Sequence, residues 1–376
     1  MMSKANPSRK NRTSSSPGSA SKRAPAGYGS APPTVSAKWL LSAVAIALAV
    51  ALVCAWGTLC ILFWQGSWQL LYHPTSSVAQ TPASVNLSFE AIGFATNASG
   101  EPQLRGWWIP ASSQAHFTVI YFHGADGNLG DAVDSLVRLH QAGLDILAFD
   151  YRGYGQSRFV HPSEATWRDD ADSAIAYLTD TRHIPAGAII LIGRDLGGNL
   201  AVEVAAAHPD LAGVVIEQPL ASPTAAFFND PRAHLVPAHL LVRDRWQTAV
   251  AAANLLLPSL WFYWTDEASA EAEHDKPEAY EKANARKMLV WLTNSPDART
   301  QFQNALKRWL DQLPAVRYSG SAVPVSGNHC FRVDFSLRKI HPSPKPETAT
   351  RLHQLRNRSS SSRHVAVHSL HLVSRL

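Results

Sequence analysis

Two short segments of the chain hold residues arranged for chemistry. The first is Gly193-Arg194-Asp195-Leu196-Gly197-Gly198, which follows an apolar stretch and precedes a helix-forming one. Small residues flanking a central position allow a sharp strand-to-helix turn that pushes the central side chain outward, the geometry of a nucleophile elbow. Serine is the usual occupant, and here it is Asp195. The second segment, Tyr121-Phe122-His123-Gly124-Ala125-Asp126-Gly127-Asn128, lies at the end of another apolar stretch. Acyl transfer needs backbone N–H groups aimed at a developing oxyanion, and by position these are the N–H groups of Leu196 and Ala125. A carboxylate cannot take serine's part in an ordinary esterase cycle, so Asp195 decides what reaction is open.

The elements that must position these groups follow from periodicity. Apolar strands are predicted at 104–109, 117–122, 144–149, 188–192 and 214–217, with helices between them at 129–142 and 164–181. Strands alternating with single helices imply βαβ units and a mainly parallel sheet.

Further motifs lie along the same stretch: Leu71-Tyr72-His73-Pro74, Tyr151-Arg152-Gly153-Tyr154-Gly155-Gln156-Ser157 and Pro162-Ser163-Glu164. In this order and spacing, with the two glycine-rich turns, the chain resembles the membrane-tethered, short-capped members of the α/β-hydrolase superfamily over residues 70–313. The resemblance implies a mainly parallel eight-stranded sheet flanked by helices, hydrolase chemistry, and no cofactor or metal. Relatives with aspartate at the elbow, such as haloalkane dehalogenases and epoxide hydrolases, attack an sp³ carbon to form an ester. Water activated by a histidine then cleaves that ester.

Two arrangements of the C-terminal half supply different acids and bases. In the first, 259–264 and 287–292 are the seventh and eighth strands, the acid position is Asp266, and the helix 298–313 closes the fold. Phe302, Leu306, Trp309, Leu310 and Leu313 fall on one face of that helix. The turn after the eighth strand then reads Thr293-Asn294-Ser295-Pro296-Asp297 and holds no histidine. In the second, 287–292 is the seventh strand, Asp297 the acid and His329 the base. Its last strand would contain Gly320 and Pro324, and Pro342, Pro344 and Pro346 interrupt its closing helix. Periodicity and proline therefore favour the first arrangement. Asp195 also has a plain structural reading as the cap of the following helix. The corresponding plain reading of Asp297 is an N-cap and of His123 a strut of the oxyanion loop, while Asp150 and Arg152 are expected to pair or cap near their strand end.

Residues 39–64 form an uncharged run of 26 residues. At about 1.5 Å per residue this crosses a hydrocarbon core of about 30 Å, which sets a transmembrane helix at 39–65. The run is longer than a signal-peptide core and ends without a small-residue cleavage site. Residues 1–38 carry seven Lys or Arg and no acid. That charge places the N-terminus in the cytoplasm and the main domain outside. Both 1–38 and the Ser/His/Arg-rich 314–376 read as disordered tails.

The net charge of +5 describes those tails, because residues 39–330 hold 18 basic against 27 acidic residues. It gives no case for a nucleic-acid partner. Three cysteines and 16 histidines form no CxxC or HExxH spacing, so no metal site is expected. Three functions remain: a hydrolase-fold membrane protein without a complete Ser-His-Asp triad, an Asp-nucleophile hydrolase, and an extracytoplasmic binding module. Substrate or ligand is left open.

Overall fold

The computed structural model describes residues 35–265 and 276–314. It begins with helix α1 (Ala37–Gly66), whose exposed apolar surface and 30-residue length make it long and apolar enough to cross a membrane.

Eight strands form the main sheet among the described residues: β1 (Glu90–Thr96), β2 (Pro102–Ile109), β3 (Thr118–Phe122), β4 (Asp145–Asp150), β5 (Ile189–Arg194), β6 (Gly213–Glu217), β7 (Ser259–Thr265) and β8 (Lys287–Thr293). Their spatial order is β1-β2-β4-β3-β5-β6-β7-β8. The β1–β2 and β2–β4 pairs are antiparallel, and the rest are parallel. The central strands β3 and β6 are buried throughout, as β5 is up to Arg194, because helices cover both faces. Strand β1 was not anticipated from the sequence. Its signal is a brief period-2 alternation in which only Ile92 and Phe94 are buried.

Alternation along the strands divides the core in two. Ile120, Phe122, Leu191, Val214 and Ile216 face α3 (Glu164–Ala176) and α4 (Leu196–Ala207). Val119, Tyr121, Ile190, Ile192 and Val215 face α2 (Val133–Gln141) and, later in the chain, α9 (Ala298–Leu310). Helix α9 inserts Phe302, Leu306 and Trp309 into this second core. Gly213 makes room for it: a Cβ there would lie 2.8 Å from the Trp309 ring. Helix α3 starts at a reciprocal cap between Ser163 and Thr166 and ends in a single π turn, Tyr177–Thr181.

The order of β7 and β8 corresponds to the first of the two C-terminal arrangements, with Lys287–Thr293 as eighth strand and edge of the sheet. The second arrangement, which needed that segment as the seventh strand, does not fit.

Between β6 and β7 the chain forms a cap of short helices, α5 (Ala225–Phe228), α6 (Ala238–Leu241) and α7 (Thr248–Ala253). Helix α8 (Glu278–Lys282) follows β7 in the chain. The cap's return strand of coil is clamped under α3. Glu164 accepts the backbone N–H groups of Trp246 (3.0 Å) and Arg245, and Tyr72 donates its hydroxyl to Asp244 (2.5 Å). Two motifs noted in the sequence therefore act together as a lock on the cap.

Candidate active site

The elbow is built from backbone crowding. Strand β5 ends at Arg194 and α4 begins at Leu196, leaving Asp195 as the hinge at φ 53°, ψ −127°. A non-glycine residue in this left-handed region carries strain on the order of 1–3 kcal/mol. The neighbouring glycines are obligatory. A Cβ on Gly193 would lie 2.0 Å from the Gly197 carbonyl oxygen. One on Gly197 would lie 2.4 Å from the carbonyl oxygens of both Phe122 and His123. The second contact also brings the His123–Asn128 loop against the elbow.

The Asp195 side chain points out of the turn and is about half exposed. Its Oδ2 lies 3.6 Å from Arg194 Nε and near Gly124, where an added Cβ would stand 3.2 Å away. Partial burial holds the carboxyl above its ordinary value, Arg194 opposes this, and Asp126 adds to it. The expected capping role is not found, since the side chain accepts no hydrogen bond from α4. The positive φ swings the carboxylate away from the first turn, and the Asp195 carbonyl instead accepts the N–H of Gly198 at 2.9 Å. Among the described residues no hydrogen bond occupies the N–H of Leu196 or of Ala125.

The oxyanion loop is held by tyrosines whose part was not read from the sequence. Tyr151 donates to the carbonyl of His123 (3.1 Å) and Tyr154 to that of Ala125 (2.8 Å). The ring of Tyr151 stacks on Trp167 at 3.9 Å between centroids. Asn128 Nδ2 donates to Thr75 Oγ1 (2.7 Å) and to the Ser77 carbonyl (2.8 Å), tying the loop to the chain that leaves α1. The Tyr-Arg-Gly-Tyr motif was the available signal, with both rings buried.

His123 is buried, and burial pushes it down to about 4. It is therefore neutral at pH 7. Its Nδ1–H donates to the Gly124 carbonyl at 2.8 Å, which leaves Nε2 as an unprotonated acceptor without a hydrogen-bond partner. The nearest carboxylate oxygen, Asp150 Oδ1, stands 3.7 Å away and already accepts the N–H of Leu129 at 2.7 Å. Burial pushes Asp150 up to about 6. This is the geometry of a strut. Asp150 and Arg152 do not pair with each other: Arg152 bonds Asp170 and the Thr166 carbonyl, because the glycine turn carries its side chain toward α3.

An open depression of about 590 Å³ lies between Arg138, Arg194, Trp264 and the turn after β8. In that turn Thr293 Oγ1 and Ser295 Oγ are 3.0 Å apart. Asp297 stands at the N-cap position of α9 without a capping side-chain bond. Asp266 and His329 lie outside the described residues. Among the described residues no histidine hydrogen-bonds or ion-pairs with Asp195, and no cluster of three metal-ligating side chains occurs.

Strand order, elbow and facing glycine-rich loop together define an α/β-hydrolase fold. Residues 113–323 match the family described as serine aminopeptidase S33, and the chain belongs to that family. It is 25% identical over 237 residues to the α/β-hydrolase domain-containing protein WAV2 of Arabidopsis thaliana, covering 58% of this chain and 76% of WAV2. It is 34% identical over 133 residues to the uncharacterized protein YfhR of Salmonella typhimurium, covering 34% of this chain and 43% of YfhR. The chain thus spans less than half the length of that relative. A Pyrococcus furiosus esterase, Pf2001, aligns structurally at 18% identity and TM-score 0.47, covering 65% of this chain and 98% of the esterase.

Proposed function

We propose that this is a membrane-anchored hydrolase-fold protein, its domain on the extracytoplasmic side, that lacks serine-type acyl-transfer activity and keeps the elbow as a binding scaffold. The observation that carries this reading is Asp195 itself. It stands at the elbow tip with Arg194 as its charged neighbour and with no bonded histidine among the described residues. A hydroxyl nucleophile needs a base within hydrogen-bond reach, and loss of the base alone costs several orders of magnitude in rate even where the oxyanion site persists.

The test uses the full chain in nanodiscs, as wild type and as Asp195→Ser. Both forms are expected to turn over short p-nitrophenyl esters at background and to resist fluorophosphonate labelling. Fast turnover by Asp195→Ser that His329→Ala abolishes would mean that a triad is present and overturn the proposal. The orientation is checked separately: a periplasm-dependent reporter fused after residue 100 should be active, and a cytoplasm-dependent one silent.

A second reading is favoured by the closeness of the Asp195 carboxylate to Gly124, beside the N–H of Ala125. Asp195 would displace a halide or open an epoxide at an sp³ carbon, forming an aspartyl ester. Water would then cleave that ester and restore the carboxylate, with the base that activates it supplied from outside the described residues. Halide or diol release by wild type that Asp195→Asn abolishes would establish this reading in place of the first.

A further inference from the structure

The cap and α1 are in direct contact well before the helix ends. Trp56 Nε1 donates to the Leu235 carbonyl at 3.0 Å, and α6 packs along the same side of the helix. Leu59, Cys60 and Phe63, spaced to share one face of the helix, pack into the domain's hydrophobic core cluster just beyond this contact. Residues before Trp56 are almost uniformly exposed.

The position of that contact relative to a bilayer follows from length. Lys38 holds the cytoplasmic end of α1 at or outside the hydrocarbon edge. A core of about 30 Å is used up by about 20 residues at 1.5 Å each. The outer hydrocarbon edge then falls near residue 57, level with Trp56 and so with Leu235, and any tilt moves it further toward the domain. Trp39 and Trp56 are then placed at the two interfaces, where tryptophan is enriched.

Exposed apolar side chains concentrate on the cap, alongside polar ones such as Arg232 and His239. Beyond α1, seven large hydrophobic side chains are exposed among the described residues, and five of them belong to the cap: Leu220, Leu235, Leu240, Val250 and Leu256. Leu240 is 83% exposed. A sixth, Phe159, contacts His161, which stacks on Trp68 just after α1. Single exposed leucines are ordinary, and the two that stand by the contact are Leu235, whose carbonyl bonds Trp56, and Leu240 on α6, which packs on α1. Between Phe228 and Leu240 the cap also holds an open cavity of about 300 Å³, lined by Val236, Pro237 and His239.

We infer that the cap is a second membrane contact: Leu235 and Leu240 insert into the outer leaflet beside α1, so that the cap cavity opens onto lipid. The occupant is the bilayer, because the Trp56–Leu235 contact stands at the outer hydrocarbon edge and any tilt of α1 draws it further into the bilayer. The inference rests on α1 spanning the membrane. It deepens the proposed function by naming lipid-borne molecules as the class that reaches the cap without leaving the bilayer.

The test is spin-label accessibility on the full chain in phosphatidylcholine–phosphatidylglycerol nanodiscs, with Cys54, Cys60 and Cys330 changed to alanine. Labels are placed singly at Leu240→Cys, Leu48→Cys in mid-helix, and Ser99→Cys in the β1–β2 turn. Leu240 is mostly exposed, so its label leaves the fold intact, and thermal unfolding verifies this. The Leu240 label is expected to collide with a water-soluble nickel complex at least fivefold less than the Ser99 label and to be oxygen-accessible like Leu48. A Leu240 label as water-accessible as Ser99, with Leu48 in lipid, overturns the cap contact and leaves the span standing. Water access at both Leu240 and Leu48 overturns both. Protection of Leu240 from both reagents means that protein covers the face, and also overturns the inference.

Discussion

The two walls of the candidate site are built to different standards. On the elbow wall, β3 and β5 are buried, two glycines sit where no side chain fits, and two tyrosines pin the facing loop. On the far wall β8 is the sheet edge, only Leu292 of it is fully buried, and the turn that follows offers two hydroxyls and an aspartate. A hydrolase needs both, since the elbow presents the nucleophile and the turns after β7 and β8 bring acid and base to it. The difference teaches which part of such a site backbone packing fixes: the elbow's geometry rests on glycines and buried strands, not on catalytic side chains.

The contrast breaks most sharply under Gly197→Ala. Its Cβ would meet two backbone carbonyl oxygens that have nowhere to move, so a loss of about 3 kcal/mol or more is expected in urea unfolding. Thr293→Ala on the far wall should cost under about 1 kcal/mol. Equal losses would mean that the walls do not differ.

Glu203 sharpens the comparison through pH. It lies buried on α4 behind the elbow, and burial pushes it up to about 7 against the opposing pull of Arg168. A carboxyl whose folded value is raised contributes stability that is full below its unfolded value near 4.5 and is lost as pH rises through about 7. Wild type should therefore lose stability relative to Glu203→Gln across that window, by at most about 1.4 kcal/mol per pH unit. A pH-independent difference between the two proteins would refute the assignment.

The smallest effect has the less usual sign. Asp195→Gly should stabilise the domain by about 1 kcal/mol, since glycine removes strain of about 1–3 kcal/mol and returns roughly 0.5–1 kcal/mol in unfolded-state entropy. Asp195→Ala keeps the Cβ and should show no such gain. Equal melting temperatures for the two variants would show that the elbow is unstrained.

Periodicity and turn chemistry made seven of the eight strands legible, since buried parallel strands are long apolar runs between glycine-rich turns. Strand β1 escaped because an edge strand buries only alternate residues, and Ile92 and Phe94 alone are too few to stand out. Gly193 and Gly197 were readable as an elbow for a local reason: a sharp turn forbids side chains wherever the chain folds. The capping reading of Asp195 failed because its positive φ turns the carboxylate away from the first turn of α4, and that turn is pressed at Gly197 against the Phe122–His123 backbone, which lies far away in sequence. In the same way the roles of Tyr151, Tyr154 and Glu164 depend on partners that only the assembled layers bring close.

By itself the sequence determined the apolar span, the alternation of strands and helices, and the aspartate at the elbow, all of which are local in origin. The tertiary structure decided that His123 is buried and neutral, that Tyr151 and Tyr154 pin the loop facing the elbow, and that the cap lies along α1. Each of these depends on burial or on a contact across many residues, and a linear pattern carries neither.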